Sequence, residues 1–387
     1  MANDNPKWEW DEYFLRKGNG FREFWNTYLN SRKRDILFIL GLGFDPRMVL
    51  AVKFIIDATG EGKRDCILLE FNEGESSPSN KYSVDVKSNL FRLNRLFDKK
   101  GHIEKKSIQM ISKEKRRTGS RNVAKLFHGI DDFKEYTDVV IDISALPRVL
   151  YFPLIKRLLD LYDVPSQERT EKFNIHVIVV ENPVLDSKIQ AEGIEDKADY
   201  ISGFRGDIEL QSTSDIPRIW MPLLGENREE YLEKIHTLVK PQEICPIIPF
   251  PATSPRRGDN LILDYQELLF DRLSIEPTDI LYVAEQNPFE VYRKIVKTSI
   301  QYVKSLESIG GCKIIISALS SKVLSIGALL AVYDIAKNLK ISGKDINIGI
   351  AHVEAQGYAM QRPPRINALD NKQELFSLWL KGECHED

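Results

Sequence analysis

The sequence lacks the features that would place it in several common classes of protein. Its four cysteines share no Cys-x-x-Cys spacing, and none of its six histidines has another histidine three or four residues away. These absences argue against a metal site and against a disulfide framework. No apolar run approaches the roughly 20 residues that cross a bilayer, and the polar, aromatic N-terminus does not resemble a signal peptide. We therefore expect a cytoplasmic protein with reduced thiols and no membrane contact.

Motifs that would select a reaction are also missing. The sequence has no His-Glu-x-x-His, no Ser-His-Asp order, no P-loop and no complete Gly-x-Gly-x-x-Gly fingerprint. A net charge of -3 argues against a protein devoted to coating nucleic acid. Catalysis is left undecided by the sequence. The candidate general acids or bases are Asp45, Glu70 and Glu181, because carboxylates at strand ends can transfer protons.

The sequence does contain a series of four landmarks that occurs twice. An apolar strand leads into a loop with Pro and Arg, and a second strand ends in Asn before a long helix. A third strand meets Ser-Ala-Leu and a basic residue, and a fourth ends in Val-Glu. The landmarks start at Asp35, Cys66, Val139 and Asn174 in the first copy, and at Glu243, Ile280, Lys313 and Asn347 in the second. Four coincidences in one order favour an internal duplication.

The length and the strand pattern predict the architecture. A chain of 387 residues exceeds the usual size of one hydrophobic core, so two domains are expected. Apolar strands that alternate with helices predict an α/β fold of two tandem Rossmann-like parallel-sheet units with an N-terminal helical extension. The predicted segments are an amphipathic helical segment at 1–34, a first repeat at 35–190, a connector with a helix at 191–240, a second repeat at 241–360 and a tail helix at 361–387.

Polar residues follow the strands of both copies. Ligands of open α/β sheets bind outside the carboxyl ends of the strands, where glycines permit close approach and cations and hydroxyls suit phosphate or ribose. The candidate ligand-binding residues of the first copy are Gly41, Gly43, Asp45, Arg47, Asn72, Ser144 and Arg148. Those of the second copy are Ser254, Arg256, Arg257, Asn287, Ser317, Ser320, Ser321, Lys322 and Glu354.

The first of these loops also has a structural interpretation. It is a tight turn in which Asp45 caps the following helix and Arg47 extends into solvent. Because the second copy gathers Arg256, Arg257 and Lys322, its loops are the stronger anion candidates. The pattern therefore predicts two unequal halves.

Two further segments are candidate contacts for macromolecules. The N-terminal segment carries aromatic side chains at helical spacing, which favours a docking surface for a protein partner. The segment Lys99–Lys125 has ten basic residues against two acidic ones, a density that suits contact with a nucleic-acid backbone or an anionic ligand. A flexible, solvated hairpin or loop is the interpretation that the pattern favours.

The repeated strand-to-glycine turn and the repeated small-residue loop with Lys or Arg resemble CARF domains. The resemblance is greater to SAVED sensors of bacterial antiphage systems, which carry two CARF-like units in one chain. It implies a cyclic or linear oligonucleotide ligand in a cleft shared by the two units, and no further cofactor. Many CARF domains have a glycine-rich Thr-Lys loop where this sequence reads SALPR and SALSSK. The matching segments are Gly41–Arg47, Ser144–Arg148, Ser254–Arg257 and Ser317–Lys322.

The sequence therefore predicts a sensor or regulatory protein that binds a nucleotide or cyclic oligonucleotide, in bacterial antiphage defence. Two alternatives remain open. One is an enzyme that hydrolyses or transfers a nucleotide glycosidic or phosphodiester bond. The other is an architectural subunit of a larger complex.

Overall fold

The chain divides into two compact units. The computed structural model describes residues 8–74, 77–98, 100–114, 116–164, 173–186, 189–206, 208, 216–341, 347–360 and 373–385. The first unit comprises Tyr13–Ile194 and Ala355–Asp387, and the second comprises Met1–Glu12 and Glu195–Glu354. Both contain parallel strands and helices, so the predicted α/β class is confirmed.

Strands and helices alternate along the first unit. In chain order they are β1 (Phe14–Lys17), α1 (Asn19–Ser31), β2 (Ile36–Leu42), α2 (Leu50–Asp57), β3 (Arg64–Asn72), α3 (Ser83–Phe97), β4 (Ile103–Gln109), α4 (Gly119–Ala124), β5 (Asp138–Asp142), α5 (Arg148–Asp163), β6 (Asn174–Glu181), α6 (Pro183–Asp186) and β7 (Ile189–Ile194).

The second unit has the same alternation, after which the chain returns to the first. The elements of the second unit are β8 (Asp199–Tyr200), β9 (Arg218–Leu223), α7 (Glu229–Val239), β10 (Glu243–Ile244), β11 (Ile247–Pro249), α8 (Arg257–Asp264), β12 (Leu281–Val283), α9 (Pro288–Ser305), β13 (Lys313–Ala318), α10 (Lys322–Ile341) and β14 (Asn347–His352). The first unit then receives β15 (Ala355–Met360) and β16 (Glu374–Lys381).

The two main sheets share the order of their parallel strands. The first sheet runs β1-β16-β6-β5-β2-β3-β4, and the second runs β12-β11-β9-β13-β14-β8. The outer strands β16 and β1 of the first sheet and β8 of the second are antiparallel. Strands β10 and β11 both pair parallel with β9. When they are counted as one interrupted strand, the parallel strands of each sheet, numbered along the chain, lie in the order 3-2-1-4-5, as in doubly wound α/β sheets. In such sheets the polar loops after the strands gather at one edge.

The cores are built from the apolar runs that the sequence displays. All seven residues of β2 are buried, as expected for a parallel strand covered on both faces. Phe21 and Trp25 of α1 are fully buried against this core, where Trp379 of β16 also packs. The N-terminal aromatic side chains expected at a partner surface therefore belong largely to the interior of the first unit.

The sequence pattern does not identify the first parallel strand, in chain order, of the second sheet. The central strand is β9, which lies between β11 and β13, although its sequence falls in the predicted connector 191–240. Pro217 and Pro222 flank or enter this run, and proline argues against a central strand. The first two landmarks of the second copy therefore occupy the second and third parallel strands, one place further along than in the first copy.

The predicted tail helix is wrong. Residues Glu374–Lys381 form β16, which pairs antiparallel with β6, and all but Glu374 are buried. A short apolar run fits a buried strand as well as a helix, and periodicity alone does not separate the two. The remainder of the predicted tail, 361–372 and 386–387, lies outside the described residues.

About half of the basic segment is helix or strand. It contains β4, which is the edge strand of the first sheet, and α4, while Lys99 and Lys115 lie outside the described residues. Lys105 and Lys106 of β4 form ion pairs with Glu70 and Glu104. Lysines on an edge strand discourage pairing with another chain. Part of the positive charge of the segment therefore has a structural explanation, in the ion pairs and the edge position of β4.

Candidate functional site

The turn that follows β2 in the first unit is closed by its own side chains. Asp45 caps the short 3₁₀ helix Pro46–Val49, because its carboxylate accepts a hydrogen bond from the Arg47 amide at 2.9 Å. The Arg47 guanidinium donates to the same carboxylate at 2.6 Å and pairs with Asp186 at 2.8 Å. Capping by Asp45 is confirmed. Arg47, at 3% exposure, is buried rather than in solvent.

The electrostatics of this turn leave little for an incoming anion. Burial disfavours the charged form of Arg47, yet the carboxylates of Asp45 and Asp186 outweigh burial and raise its pKa above the ordinary value. The helix N-terminus is already capped by a carboxylate, which occupies the place where a phosphate would bind. Gly41 is a packing position, because an added Cβ would lie 2.8 Å from the Leu146 side chain. The geometry of the turn fits a structural role.

The candidates at the end of β3 have local partners. Glu70 pairs with Lys105 of the neighbouring β4 at 3.1 Å, and both side chains are largely exposed. The Asn72 side-chain oxygen accepts a hydrogen bond from the Gly74 amide at 3.1 Å, which shapes the turn after the strand. Both residues lie at the carboxyl edge of the first sheet, as predicted.

The loop after β5 holds the candidates of the third landmark. The Ser144 hydroxyl is buried and accepts a hydrogen bond from the Val180 amide of β6 at 3.0 Å, so it joins two strands. Arg148 is the first residue of α5, and Glu181 is the last residue of β6. The topology thus brings all first-copy candidates to one edge of the sheet. Several of them are already hydrogen-bonded within the protein, where they cap a helix, shape a turn or join neighbouring segments.

The second-unit edge is organised around Arg257. Its guanidinium makes two hydrogen bonds to Glu226, with Nε–Oε1 at 2.6 Å and Nη2–Oε2 at 2.9 Å. It also donates to Glu285, whose other oxygen accepts from the Thr253 amide at 2.5 Å. Arg257 therefore ties together the loops that follow three adjacent parallel strands, β9, β11 and β12. Glu226 is not among the predicted site residues, because β9 falls in the predicted connector 191–240.

The charges of this network are mutually stabilised. Burial disfavours the charged form of Arg257, but its hydrogen bond to Glu226 and the charges of Glu226 and Glu285 raise its pKa. Burial likewise favours the neutral form of Glu226, but the hydrogen bond from Arg257 lowers its pKa overall. Arg257 is thus held in place as a cation.

Gly225 joins the loop after β9 to the loop after β13. A Cβ at this position would lie 2.6 Å from the Leu319 carbonyl oxygen and 2.9 Å from Ser320 Cα, so only glycine permits the approach. The Tyr265 hydroxyl donates to the Gly225 carbonyl at 2.5 Å and accepts from the Arg228 amide at 2.7 Å. Strands β9 and β13 are the first and fourth of the parallel series, where the strand order reverses. Ligands of doubly wound sheets bind at this reversal point.

The Ser-Ser-Lys run lies at the same point. Ser320 is buried, and the Ser321 hydroxyl accepts a hydrogen bond from the Leu324 amide at 3.3 Å at the start of α10. Lys322 is the first residue of this 20-residue helix and is partly exposed. A cation at the start of a long helix adds to the positive potential of the helix N-terminus.

Two other second-copy candidates have structural roles, and the backbone of a third is hydrogen-bonded. The buried Ser317 hydroxyl accepts a hydrogen bond from Trp220 Nε1 at 3.0 Å, which joins β13 to β9. Asn287 caps α9 by accepting from the Phe289 amide at 3.1 Å. Glu354 follows β14, and its carbonyl accepts from the Glu195 amide at 2.9 Å.

Arg256 and Ser254 have the most solvent-accessible positions of the predicted residues at this edge. Both are exposed, and the Ser254 carbonyl accepts from the Arg257 amide at 3.0 Å, which starts α8. Within the part of the chain that the structure describes, the Arg256 side chain has no ion-pair partner. The second-unit edge, defined by residues 224–228, 250–257, 284–287 and 319–322, thus combines a fixed arginine with an exposed one.

The described residues meet the requirements of neither a metal site nor a membrane-spanning helix. Within the described ranges, no group of His, Cys, Asp and Glu is arranged to hold a metal ion. Among the described helices, none has both the length and the apolar character that crossing a membrane requires.

Comparison with known proteins does not connect this edge to a family. No family model and no curated protein matches the chain. The similar solved structures include an uncharacterized protein from Mycobacterium paratuberculosis, with 7% identity, a TM-score of 0.20 and coverage of 83% of this chain and 80% of that one. Another is PA1789 from Pseudomonas aeruginosa PAO1, functionally unknown, with 8% identity, a TM-score of 0.19 and coverage of 80% and 97%. TM-scores this low carry no argument about fold or function.

Proposed function

We propose that the protein binds a phosphate-bearing nucleotide or oligonucleotide at the second-unit edge and acts as a sensor or regulatory protein. One observation carries the proposal. The loops after β9, β11 and β13 meet where the strand order reverses, and they bring Arg256, Arg257 and the start of α10 to the same edge. This is the position at which doubly wound sheets bind nucleotides.

The charges at this edge suit a phosphate group. Arg257 is fixed by Glu226 and Glu285, which leaves the exposed Arg256 as the cation able to turn toward an anion. A guanidinium recognises phosphate oxygens through paired hydrogen bonds. The N-terminus of α10, with Lys322 as its first residue, supplies a second positive end.

The shared strand order supports a finer proposal about origin. Two sheets with the order 3-2-1-4-5 are what a duplicated nucleotide-binding unit would retain. We accordingly propose that the chain is a tandem Rossmann-like protein related to the CARF and SAVED sensors of antiphage defence. The first two landmarks do not support this proposal, because they lie on different strands in the two sheets, whereas the third and fourth landmarks lie on corresponding strands.

Binding without turnover agrees with the contacts of two of the three candidate acids. Both oxygens of Asp45 are engaged by Arg47, and Glu70 pairs with Lys105. A general base needs access to a substrate proton within hydrogen-bond reach. Recovery of intact nucleotide after prolonged incubation with the protein is therefore the expected result, and chromatography of the ligand measures it.

Titration calorimetry tests the binding. We expect one or more members of a panel of nucleoside phosphates and linear and cyclic oligonucleotides to bind the wild-type protein. The Arg256→Ala/Lys322→Ala double variant should bind at least about tenfold more weakly, which corresponds to about 1.4 kcal/mol.

A matched control separates this effect from a general change in charge. Lys304 is exposed in the last turn of α9, far along that helix from the end that faces the second-unit edge, and Lys304→Ala should bind as the wild type does. Failure of every panel member to bind, or equal binding by the double variant and the wild type, would contradict the proposal.

A further inference from the structure

Two exposed aromatic rings lie at the adjacent parallel strands β11 and β12 on one side of the second sheet, one of them at the start of the loop that carries Arg256. Phe250, directly after β11, is 49% exposed, and Tyr282 in β12 is 43% exposed. Their ring centroids are 6.0 Å apart with the planes at 73°, an edge-to-face contact. Exposed large apolar side chains are uncommon in this protein, and only these two form a ring pair with each other among the described ones.

The backbone holds this aromatic pair in place. The Phe250 amide donates to the Val283 carbonyl at 2.6 Å, and the Glu285 amide donates to the Pro251 carbonyl at 3.0 Å. The Glu285 carboxylate, which binds Arg257, also accepts from the Thr253 amide. Two backbone hydrogen bonds thus join the start of the loop that carries Phe250 to β12 and to the loop that follows β12. An anchored backbone loses little conformational freedom when a ligand binds.

Phe250 lies at the start of the same loop as Arg256 and Arg257. An added Cβ at Gly258 would lie 3.6 Å from Phe250 Cβ, so the first turn of α8 passes close to the base of this side chain. Gly258 directly follows Arg256 and Arg257 along the chain. One loop therefore presents an aromatic face and a cation within a few residues. Proteins that bind unpaired bases combine these two elements, with rings for stacking and cations for the backbone phosphates.

The geometry points to stacking of a nucleobase: we propose that Phe250 and Tyr282 hold the base of a nucleotide whose phosphate lies at Arg256. This inference rests on the proposed function and narrows its ligand to one with an unpaired base. Pairing of a partner strand is the less favoured use of this surface, because β12 has only three residues. Every base has an aromatic face, so stacking here predicts affinity for bases with little sequence preference.

Calorimetry with matched trinucleotides tests the inference. The probes are single-stranded RNA trimers with a 5′-phosphate, one for each base, and an abasic trimer with the same phosphates. The wild-type protein should bind at least one base-bearing trimer roughly tenfold more tightly than the abasic trimer. The Phe250→Leu/Tyr282→Leu double variant should bind both kinds equally weakly.

Two further variants keep the test specific. Tyr282→Phe retains the ring and should keep the preference for the base-bearing trimer. Arg256→Ala should weaken the base-bearing and the abasic trimer by a similar factor. Circular dichroism and thermal unfolding should show that the leucine variant is folded, since both rings are about half exposed.

The outcomes separate this inference from the proposed function. Equal binding of base-bearing and abasic trimers by the wild type would overturn base stacking while leaving phosphate binding intact. Tight base-specific binding by the leucine variant would also overturn it. If no trimer binds at millimolar concentration, the inference fails, whereas the proposed function fails only if every member of its wider nucleotide panel also fails to bind.

Discussion

The two arginine-bearing loops look alike in sequence but differ in their surroundings. Arg47 of the first unit is buried and paired with Asp45 and Asp186. Arg256 of the second unit is exposed, and its neighbour Arg257 is the one that binds carboxylates. Both loops follow a parallel strand at the carboxyl edge of a sheet with the same strand order. An arginine in such a loop is available to a ligand only where neighbouring carboxylates do not already pair with it.

The largest expected effect comes from breaking the buried pair of the first unit. Arg47→Met should lower the free energy of unfolding by about 4 kcal/mol, because it leaves the carboxylates of Asp45 and Asp186 without their cation. Urea denaturation measures the change. Arg256→Ala is the matched variant in the second unit and should change stability by less than about 0.5 kcal/mol. Similar losses in the two variants would mean that the loops do not differ as described.

The buried carboxylates of the two units should respond to pH in opposite directions. Burial raises the pKa of Asp334 in the second unit from 3.8 to about 6, while in the first unit hydrogen bonds from His176, Thr137 and Tyr28 overcome burial and lower the pKa of Asp138. The raised pKa means that the folded state favours the protonated form of Asp334. Its contribution to stability is fully present below pH 3.8 and is lost as the pH rises through 6.

Substitution of the two aspartates isolates these contributions. The wild type should lose about 3 kcal/mol of unfolding free energy through Asp334 as the pH rises from 4 to 7, and the Asp334→Asn variant should not. The stability of the variant relative to the wild type should therefore rise over this range. Asp138→Asn should differ from the wild type by a constant amount between pH 4 and pH 7, and the difference should shrink only as the pH falls below 3.8, because the lowered pKa of Asp138 stabilises the folded state above its unfolded pKa. Calorimetric unfolding from about pH 2 to pH 7 measures both contributions. Parallel pH profiles for the two variants would contradict the assignment.

Two glycines at corresponding strand ends sharpen the comparison further. An added Cβ at Gly225, after β9, would lie 2.6 Å from a carbonyl oxygen, whereas one at Gly43, after β2, would lie 3.5 Å from the Ala145 side chain. Gly225→Ala should therefore cost about 2 kcal/mol of stability and weaken nucleotide binding, since overpacking forces the loops apart. Gly43→Ala should be close to neutral. Thermal unfolding and calorimetric titration of the pair check this, and a neutral Gly225→Ala would count against contact between the loops.

The smallest effect is expected at an exposed ion pair. Lys105→Ala removes the contact with Glu70, in which both side chains are 40% exposed or more. Exposed pairs contribute up to about 0.5–1 kcal/mol and are screened by salt, so the change in unfolding free energy should be near the limit of detection. A loss comparable with that of Arg47→Met would show that burial is not what separates the two pairs.

Most of the fold could be predicted from the sequence because apolar runs and helix periods are local. The helices α2, α7 and α9 and the strands β2, β5 and β13 lie where the pattern places them. The errors have physical causes. Prolines made the central strand β9 look like a connector, and the short apolar run of β16 fits a strand as well as a helix.

The site could be predicted only as a set of loops. The rule that ligands bind at strand ends brought Arg47, Arg257 and Ser321 to sheet edges, as the structure has them. It did not show that Asp186 pairs with Arg47 or that Glu226 pairs with Arg257. Those carboxylates lie in segments that follow other strands of the sheet, far from the arginines in the sequence. Charge neutralisation is a tertiary property. The sequence therefore identified the cations without separating the structural one from the exposed one.

Hydrogen–deuterium exchange with and without a saturating nucleotide tests the central claim most directly. The account predicts slower exchange of backbone amides in residues 224–228, 250–257 and 319–322 of the second unit when the ligand is present. It predicts unchanged exchange in residues 41–47, where Arg47 is already paired. Protection confined to residues 41–47, or no protection of the second-unit edge by a ligand that binds, would contradict it.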